Sequence, residues 1–562
     1  MSDAEAYSVA SGWSTATIVG VIAIICGVAA YALWISYREH QRLRRSGVVL
    51  SPEEFITARG RVSSMAVGFS WFATLMGSWV LATTPNYSTV AGLLGVVMYA
   101  VAGGAAIVML AYIGAVARLS DPDACSLPNF MARRFAGRAP ASGRVASALA
   151  VGMNLFNSCV GLTAEYTTML SLLESFAGVS MGESLGIVVL ISILTLIYTV
   201  TGGLYVSILT DRMQTIGALA LVGVLIVYVC LEFSKGLSLP PLTHELAGLT
   251  TAGYSSILTM PLSLMLGAGL FAEGMWQRVW AGEDRTAIVH AAWFAGVCAT
   301  MVIFFFGFIG LLALWSDRAT VEQTDPNLFF FAFFGNSPRV GLSNVPGLLA
   351  MLCAAVMSTG AVDSLQNAIA ATASSSFLHG HSLLVTRLFV AAVNTVILAL
   401  ACARFSVLSL FLAGNLAAAV LSPPVMVSLV AHRRVRALLT EASLLLGLLG
   451  GAGGLSAYGI VLSGGAYGEG LRLAWVDNGY RYDFFLVALA TSMAGVIIGV
   501  GLGFVVRAQR SDHDGIDTAR ATFADEFWGG HKPSELAVPK PTGGVGTTHQ
   551  TNGNAARNAS VV

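Results

Sequence analysis

Residues 355–367 read Ala355-Val356-Met357-Ser358-Thr359-Gly360-Ala361-Val362-Asp363-Ser364-Leu365-Gln366-Asn367. They sit inside an apolar stretch, 347–372, long enough to cross a bilayer as a helix. On a helix Ala355, Ser358 and Thr359 fall at i, i+3 and i+4 and share one face. Asp363 follows four residues after Thr359, one turn further along that face. The face offers one backbone carbonyl and two hydroxyls. Oxygen-only ligands suit a hard cation such as sodium. The competing reading is that both hydroxyls bond the preceding carbonyls and help the helix pack.

The surrounding sequence is a membrane sequence. Of 562 residues, 56% are hydrophobic and 11% charged, against roughly 25% charged in soluble domains. Mean hydropathy is +0.74. So few charges cannot cover a soluble surface of this size, which excludes a soluble enzyme, a nucleic-acid binder and a disordered hub. Thirty basic residues balance thirty acidic ones, so bulk charge points to no polyanionic partner. The 61 glycines have no collagen-like period and suit close helix packing in lipid. Seven scattered cysteines form no CxxC pair and signal neither a disulfide framework nor a zinc site.

Hydropathy predicts thirteen spans, near 15–36, 65–84, 90–117, 146–172, 184–201, 211–233, 254–275, 287–315, 347–372, 382–402, 406–430, 437–463 and 483–507. The first is too long for a signal-peptide core and has no basic flank before it. Arginines cluster in one set of loops: Arg38, Arg42, Arg44, Arg45, Arg59 and Arg61, then Arg133, Arg134, Arg138 and Arg144, then Arg433, Arg434 and Arg436. The opposite loops hold only Lys235, Arg318, Arg339, Arg404, Arg472 and Arg481 over a greater length. The positive-inside rule then puts residues 1–14 outside and the 508–562 tail inside, most simply at the plasma membrane, which requires an odd span count. The end of the tail, rich in Gly, Asn, Thr and Pro, reads as disordered. Asn86-Tyr87-Ser88 is expected outside but too near the membrane to carry a sugar.

Ionisable groups inside spans are functional candidates. Asp211, Glu273 and Asp363 stand out, with Glu165 a fourth. Asp211 ends the polar run Tyr198-Thr199-Val200-Thr201-Gly202-Gly203-Leu204-Tyr205-Val206-Ser207-Ile208-Leu209-Thr210-Asp211, followed by Arg212-Met213-Gln214. A carboxylate beside two hydroxyls makes a second cation station. Pairing of Asp211 with the adjacent Arg212 is the alternative.

The Thr-Gly-Gly-Leu…Thr-Asp-x-x-Gln run resembles the signature of the sodium:solute symporter family. Met357-Ser358-Thr359 with Asp363-Ser364 resembles its eighth core helix, and Trp276-Gln277-Arg278-Val279-Trp280-Ala281 the end of its sixth. Glu53 to Arg61 resembles the stretch before the first. The resemblance implies an all-α polytopic membrane protein with a LeuT-type core. A leading helix and loop (15–64) precede two inverted five-helix repeats, 65–233 and 254–430, and two further helices follow in 437–507. Core helices one and six would be interrupted, at Met76-Gly77-Ser78 and Gly267-Ala268-Gly269. By motif match one sodium would be held by the carbonyls of Ala73, Met76 and Ala355 and the hydroxyls of Ser358 and Thr359. Asp211 would lie on the sodium exit route.

The chain also departs from family patterns. Leu75 stands where proline-type porters carry Asp. Ala272-Glu273-Gly274 stands where sugar porters carry Asn-Gln-Tyr, which argues against a hexose. Polar residues expected to face the substrate cavity are Ser78, Trp79, Asn154, Asn157, Glu273 and Asn415. The function implied is secondary active transport, with sodium influx driving uptake of a small polar organic solute across the lipid bilayer. No HExxH, GxSxG or Ser/His/Asp set supports an enzyme, and no nucleic-acid partner is expected. Proton coupling through Asp211, Asp363 or Glu273, as in urea-type members, is the alternative. A transporter-like sensor using the tail is a further one.

Overall fold

The computed structural model describes residues 11–47, 52–136, 140–237, 239–335, 341–378, 381–430 and 439–511. Asp3 and Glu5, loop residues Arg138, Arg339, Arg433, Arg434 and Arg436, and the tail from 512 onward lie outside them. Residues up to Arg507 form one compact unit. No strand occurs among the described residues, only one isolated bridge, between Val62 and Gly282.

The main helices are α1 (Ser11–Ser46), α2 (Pro52–Thr57), α3 (Ser64–Leu75), α4 (Val80–Ser120), α5 (Leu127–Ala136), α6 (Pro140–Ser171) and α7 (Met181–Ser234). There follow α8 (Thr251–Pro261), α9 (Glu273–Ala281), α10 (Arg285–Trp315), α11 (Val345–Ser375), α12 (Leu383–Ala401), α13 (Val407–Val430), α14 (Glu441–Leu462) and α15 (Tyr482–Ser511).

Among the described residues eleven helices are long and apolar enough to cross a membrane. Two are too long for one crossing. At 1.5 Å per residue the 54 residues of α7 would span about 80 Å, against a hydrocarbon core of ~30 Å. Each of the two is interrupted by one glycine in a conformation that L side chains rarely adopt: Gly92 at φ 60°, ψ −159° and Gly203 at φ 63°, ψ −169°. Divided there, with α3 joined to the first part of α4 as one interrupted span, the eleven become the thirteen segments expected.

The boundaries differ from hydropathy at both glycines. A single residue makes each connection, so the loops expected at 85–89 and 202–210 are helical apart from Gly203. Tyr87 and Ser88 are accordingly buried within α4, and Asp211 lies two turns inside a helix.

The expected interruptions are present. Between α3 and α4 residues 76–79 leave the helix, with Met76 at φ −91°, ψ 86°. Between α8 and α9 the chain passes through a π-turn, a non-helical Gly267 (φ −76°, ψ −106°) and a 3₁₀ turn, then Ala272 at φ −80°, ψ 84°. Met76 and Ala272 thus share nearly the same backbone conformation.

Backbone bonds tie α3 and α9 at one end. Val62 N–H donates to Ala281 O and Glu283 N–H to Val62 O, each at 3.1 Å, and Trp71 Nε1 donates to Met275 O at 3.0 Å. Small residues bring α4 against α10. A methyl at Gly296 would stand 2.9 Å from Gly104 O, the close approach that glycine permits between membrane helices. Helix α11 is the most enclosed, with 72% of its apolar window buried against 28% for α1.

Candidate functional site

The site forms where the gap at 76–79 faces α6, α7 and α11. Ending α3 at Leu75 frees the last carbonyls of that helix. Among the described residues no backbone N–H bonds the Ala73 or Met76 carbonyl. Ala73 packs on α11: a methyl at Gly360 would meet Ala73 Cβ at 3.5 Å and Gln214 Oε1 at 3.2 Å. Ala355, Ser358 and Thr359 are all buried on α11. Thr359 Oγ1 donates to Val356 O at 2.8 Å and accepts from Gln214 Nε2 at 3.2 Å. The Ser358 hydroxyl has no partner of hydrogen-bonding geometry, although it lies beside the Glu165 carboxylate. The competing packing reading therefore fits Thr359, which bonds a preceding carbonyl, and does not account for Ser358.

Glu165, from α6, reaches into the gap. Its Oε2 accepts the Ser78 N–H at 3.1 Å and the Ser78 hydroxyl at 2.6 Å. It thereby satisfies an orphan donor at the start of α4, where a carboxylate is also favoured by the helix dipole.

A second polar network is centred on Arg278 of α9. Its Nη2 sits 3.1 Å from Asp211 Oδ2, and both side chains have 0% exposure. Nε donates to Ser70 Oγ at 2.8 Å, Nη1 to Gly274 O at 2.7 Å and Nη2 to Ser364 Oγ at 2.9 Å. Ser70 in turn donates to Asp211. One guanidinium so joins α3, α7, α9 and α11. Asp211 pairs with Arg278 rather than with Arg212, which is exposed. Asp363 stands beside this cluster and accepts from Thr199, from Ser207 Oγ at 2.7 Å and from Asn367 Nδ2 at 3.0 Å.

Thr74 links the network to a central cavity of about 120 Å³ that it helps line, since its hydroxyl is 3.1 Å from Ser364 Oγ. Trp79, Tyr99, Asn157, Phe411 and Asn415 are among the other lining residues. Trp79 and Phe411 stack with ring centroids 4.8 Å apart. Asn157 Nδ2 donates to the Ala268 and Phe271 carbonyls at 3.4 and 3.3 Å, within the second interruption. Asn415 Nδ2 donates to Ser263 Oγ at 2.6 Å. Among the described residues no Asp, Glu, Lys, Arg or His lines this cavity.

Three of the residues expected around the cavity, Trp79, Asn157 and Asn415, line it. Ser78 is held by Glu165. Asn154 and Glu273 are bound to each other, Nδ2 to Oε2 at 2.6 Å, and Leu127 N–H also donates to that oxygen. Sequence reasoning did not anticipate the contact of Glu165 with Ser78, nor Arg278 as the partner of Asp211. A glutamate on a neighbouring span and a Gly-Ser interruption were both visible, but nothing in their spacing joined them.

A many-spanning helical protein with two interrupted helices around a central cavity is built as a secondary transporter of the LeuT type. The sequence model of the sodium:solute symporter family matches residues 55–432, and the chain belongs to that family. It is 25% identical over 390 residues to the spermidine transporter DUR31 of Candida albicans, an alignment covering 67% of this chain and 70% of the relative. The fold is similar to that of a substrate-bound, outward-open Na⁺-coupled sialic acid symporter. There the TM-score is 0.60 at 14% identity, over 87% of this chain and 98% of that one. Family and relatives are transporters, so the chain is a multi-pass membrane transporter and not an enzyme.

Proposed function

We propose that the protein couples sodium entry to the uptake of a small polar organic solute, by alternating access around the central cavity. The observation that carries this reading is the buried, unpartnered Ser358 hydroxyl on the helix that packs against the freed end of α3. With the Thr359 hydroxyl and the carbonyls of Ala73, Met76 and Ala355 it offers five oxygens, a ligand set suited to a hard cation. Entry of one sodium down a ~100 mV potential supplies about 2.3 kcal/mol before any concentration term. Sodium that stabilises the outward-open state raises solute affinity, and solute raises sodium affinity equally.

The lining without ionised side chains favours a solute with no net charge, bound by the Asn157 and Asn415 amides and the Thr74 hydroxyl. The fungal relative named for spermidine supports an organic solute and makes polyamines the first charged candidates to compare. In this reading the arginine-rich loops face the cytoplasm of a plasma membrane and the N-terminus faces outside. The Arg278 network lies toward the arginine-rich side and closes the cytoplasmic path, with Asp211 on the route by which sodium leaves. The two repeats are assigned to 65–233 and 254–430.

Uptake of a panel of labelled neutral solutes, amino acids and spermidine into proteoliposomes, with sodium and pH gradients imposed separately, tests this reading. Accumulation driven by sodium alone is expected. Accumulation driven only by a proton gradient overturns it in favour of proton coupling. Asp211, Asp363 and Glu273, all fully buried, would then be the candidate carriers.

A further inference from the structure

Glu165 is the residue whose surroundings ask for something more than packing. Its side chain is fully buried, and its two oxygens are used unequally. Oε2 takes both the N–H and the hydroxyl of Ser78. Oε1 has no hydrogen-bond partner. That free oxygen lies against Gly77, where any methyl group would collide with it. Only glycine at 77 leaves room for the carboxylate to enter the interruption.

A second unpartnered buried oxygen, Ser358 Oγ, stands beside the same carboxylate. Two orphan oxygens from two helices, α6 and α11, so stand close together at the interruption that follows α3. A carboxylate serving only as a helix cap has no need to hold an oxygen dry and unbonded, and such a group is costly inside a protein. A cation between them would satisfy both.

We propose that Glu165, through Oε1, is a sixth and anionic ligand of the cation held between α3 and α11. The inference rests on the sodium reading above and adds to it a charge. Five neutral oxygens leave the ion's charge to be balanced by dipoles alone, whereas the Glu165 carboxylate makes the occupied site electrically neutral. A carboxylate also exerts a stronger field than carbonyl or hydroxyl oxygens, and field strength sets selectivity among alkali ions. The site is therefore expected to favour the smaller ions, lithium competing well with sodium and potassium poorly.

The test needs no knowledge of the solute. Binding of ²²Na⁺ to the purified full chain in nanodiscs is measured, with unlabelled sodium, lithium and potassium as competitors. Glu165→Gln keeps an acceptor for the Ser78 N–H and removes only the charge. It is expected to weaken sodium at least tenfold and to weaken lithium more than sodium, a change of ratio that loss of a cap alone does not produce. Glu165→Asp keeps the charge but withdraws it by one methylene. It is expected to move affinity and ratio the same way by a smaller factor, and it carries the test if the glutamine variant cannot be purified as a single species. Ser358→Ala serves as the reference for the site itself. If Ser358→Ala loses sodium while both Glu165 variants bind all three ions as the wild type does, Glu165 is only a cap and the proposal is overturned. If the wild type binds no sodium, the sodium reading fails and this proposal with it.

Discussion

Arg278 of α9 and Asp211 of α7 meet at 3.1 Å with neither side chain exposed to solvent. They lie 67 positions apart in the chain. Ser70 and Ser364 bond the same guanidinium, so the pair is the centre of a four-helix knot under the cavity. In the transport cycle proposed above, its opening would be the inward-release step.

Breaking a buried ion pair from one side strands a charge and costs about 3–5 kcal/mol. Arg278→Gln and Asp211→Asn should each lower the apparent melting midpoint strongly in detergent or nanodiscs. The double variant should recover much of that loss, because no unpaired charge is left. It should still transport poorly, since the knot no longer forms and dissolves. Additive losses in the double variant would mean that the two residues are not energetically coupled.

Removing one ligand from the cation site leaves an ion that water replaces only in part. Ser358→Ala and Thr359→Ala should raise the sodium concentration for half-maximal uptake. A loss of about 1–3 kcal/mol corresponds to roughly tenfold or more. Thr359→Ser keeps the hydroxyl and should be mild. Asp211→Asn should reduce maximal uptake more than it shifts sodium dependence. Wild-type sodium dependence in both alanine variants, at normal surface levels, would falsify the assignment of these two oxygens.

Gly203 makes the whole connection between the two halves of α7, at φ 63° and ψ −169°. A side chain there is strained by about 1–3 kcal/mol and would also press on the Phe55 carbonyl. Gly203→Ala should therefore lower thermal stability and expression. Gly152→Ala, in a helix with open space around it, should be neutral or slightly stabilising. Equal behaviour of the two variants would count against Gly203 as the turning point.

These positions show what the sequence made legible. The interruptions at Met76 and Gly267 were implied by the family resemblance and permitted by glycines mid-span, and the hydroxyl face of α11 could be read because helical spacing fixes it. Hydropathy divided the chain near both Gly92 and Gly203, but it expected loops at 85–89 and 202–210, since it registers apolar length and not that one residue can make the turn. The partner of Asp211 was hidden for another reason. An adjacent Arg212 is the obvious candidate in sequence, but it points away from the helix face that Asp211 occupies. Glu165 was seen as an intramembrane acid, and its meaning came only from what faces it across the helices.

Orientation can be tested independently of activity. If the arginine-rich loops face the cytoplasm, an epitope inserted beside Arg434 should be reached by antibody only after permeabilisation. One placed before Trp13 should be reached on intact cells. Both tags on one side would exclude an odd number of crossings.

The cavity should discriminate by hydrogen bonding at a few fixed points. Asn157 both lines it and holds the Ala268 and Phe271 carbonyls of the second interruption. Asn157→Ala should raise the solute concentration for half-maximal uptake about tenfold, the order expected when a buried polar contact is left unpaired. Sodium binding measured without solute should change little, because Asn157 is not among the five oxygen donors. Hexoses should not be carried at all. A polyol needs several convergent polar groups in a dry site, and of the segment Ala272-Glu273-Gly274 only Ala272 is among the lining residues. Glu273, the one polar side chain there, is turned to Asn154. Saturable galactose or glucose uptake that follows the sodium gradient would show that the solute binds elsewhere than in this cavity.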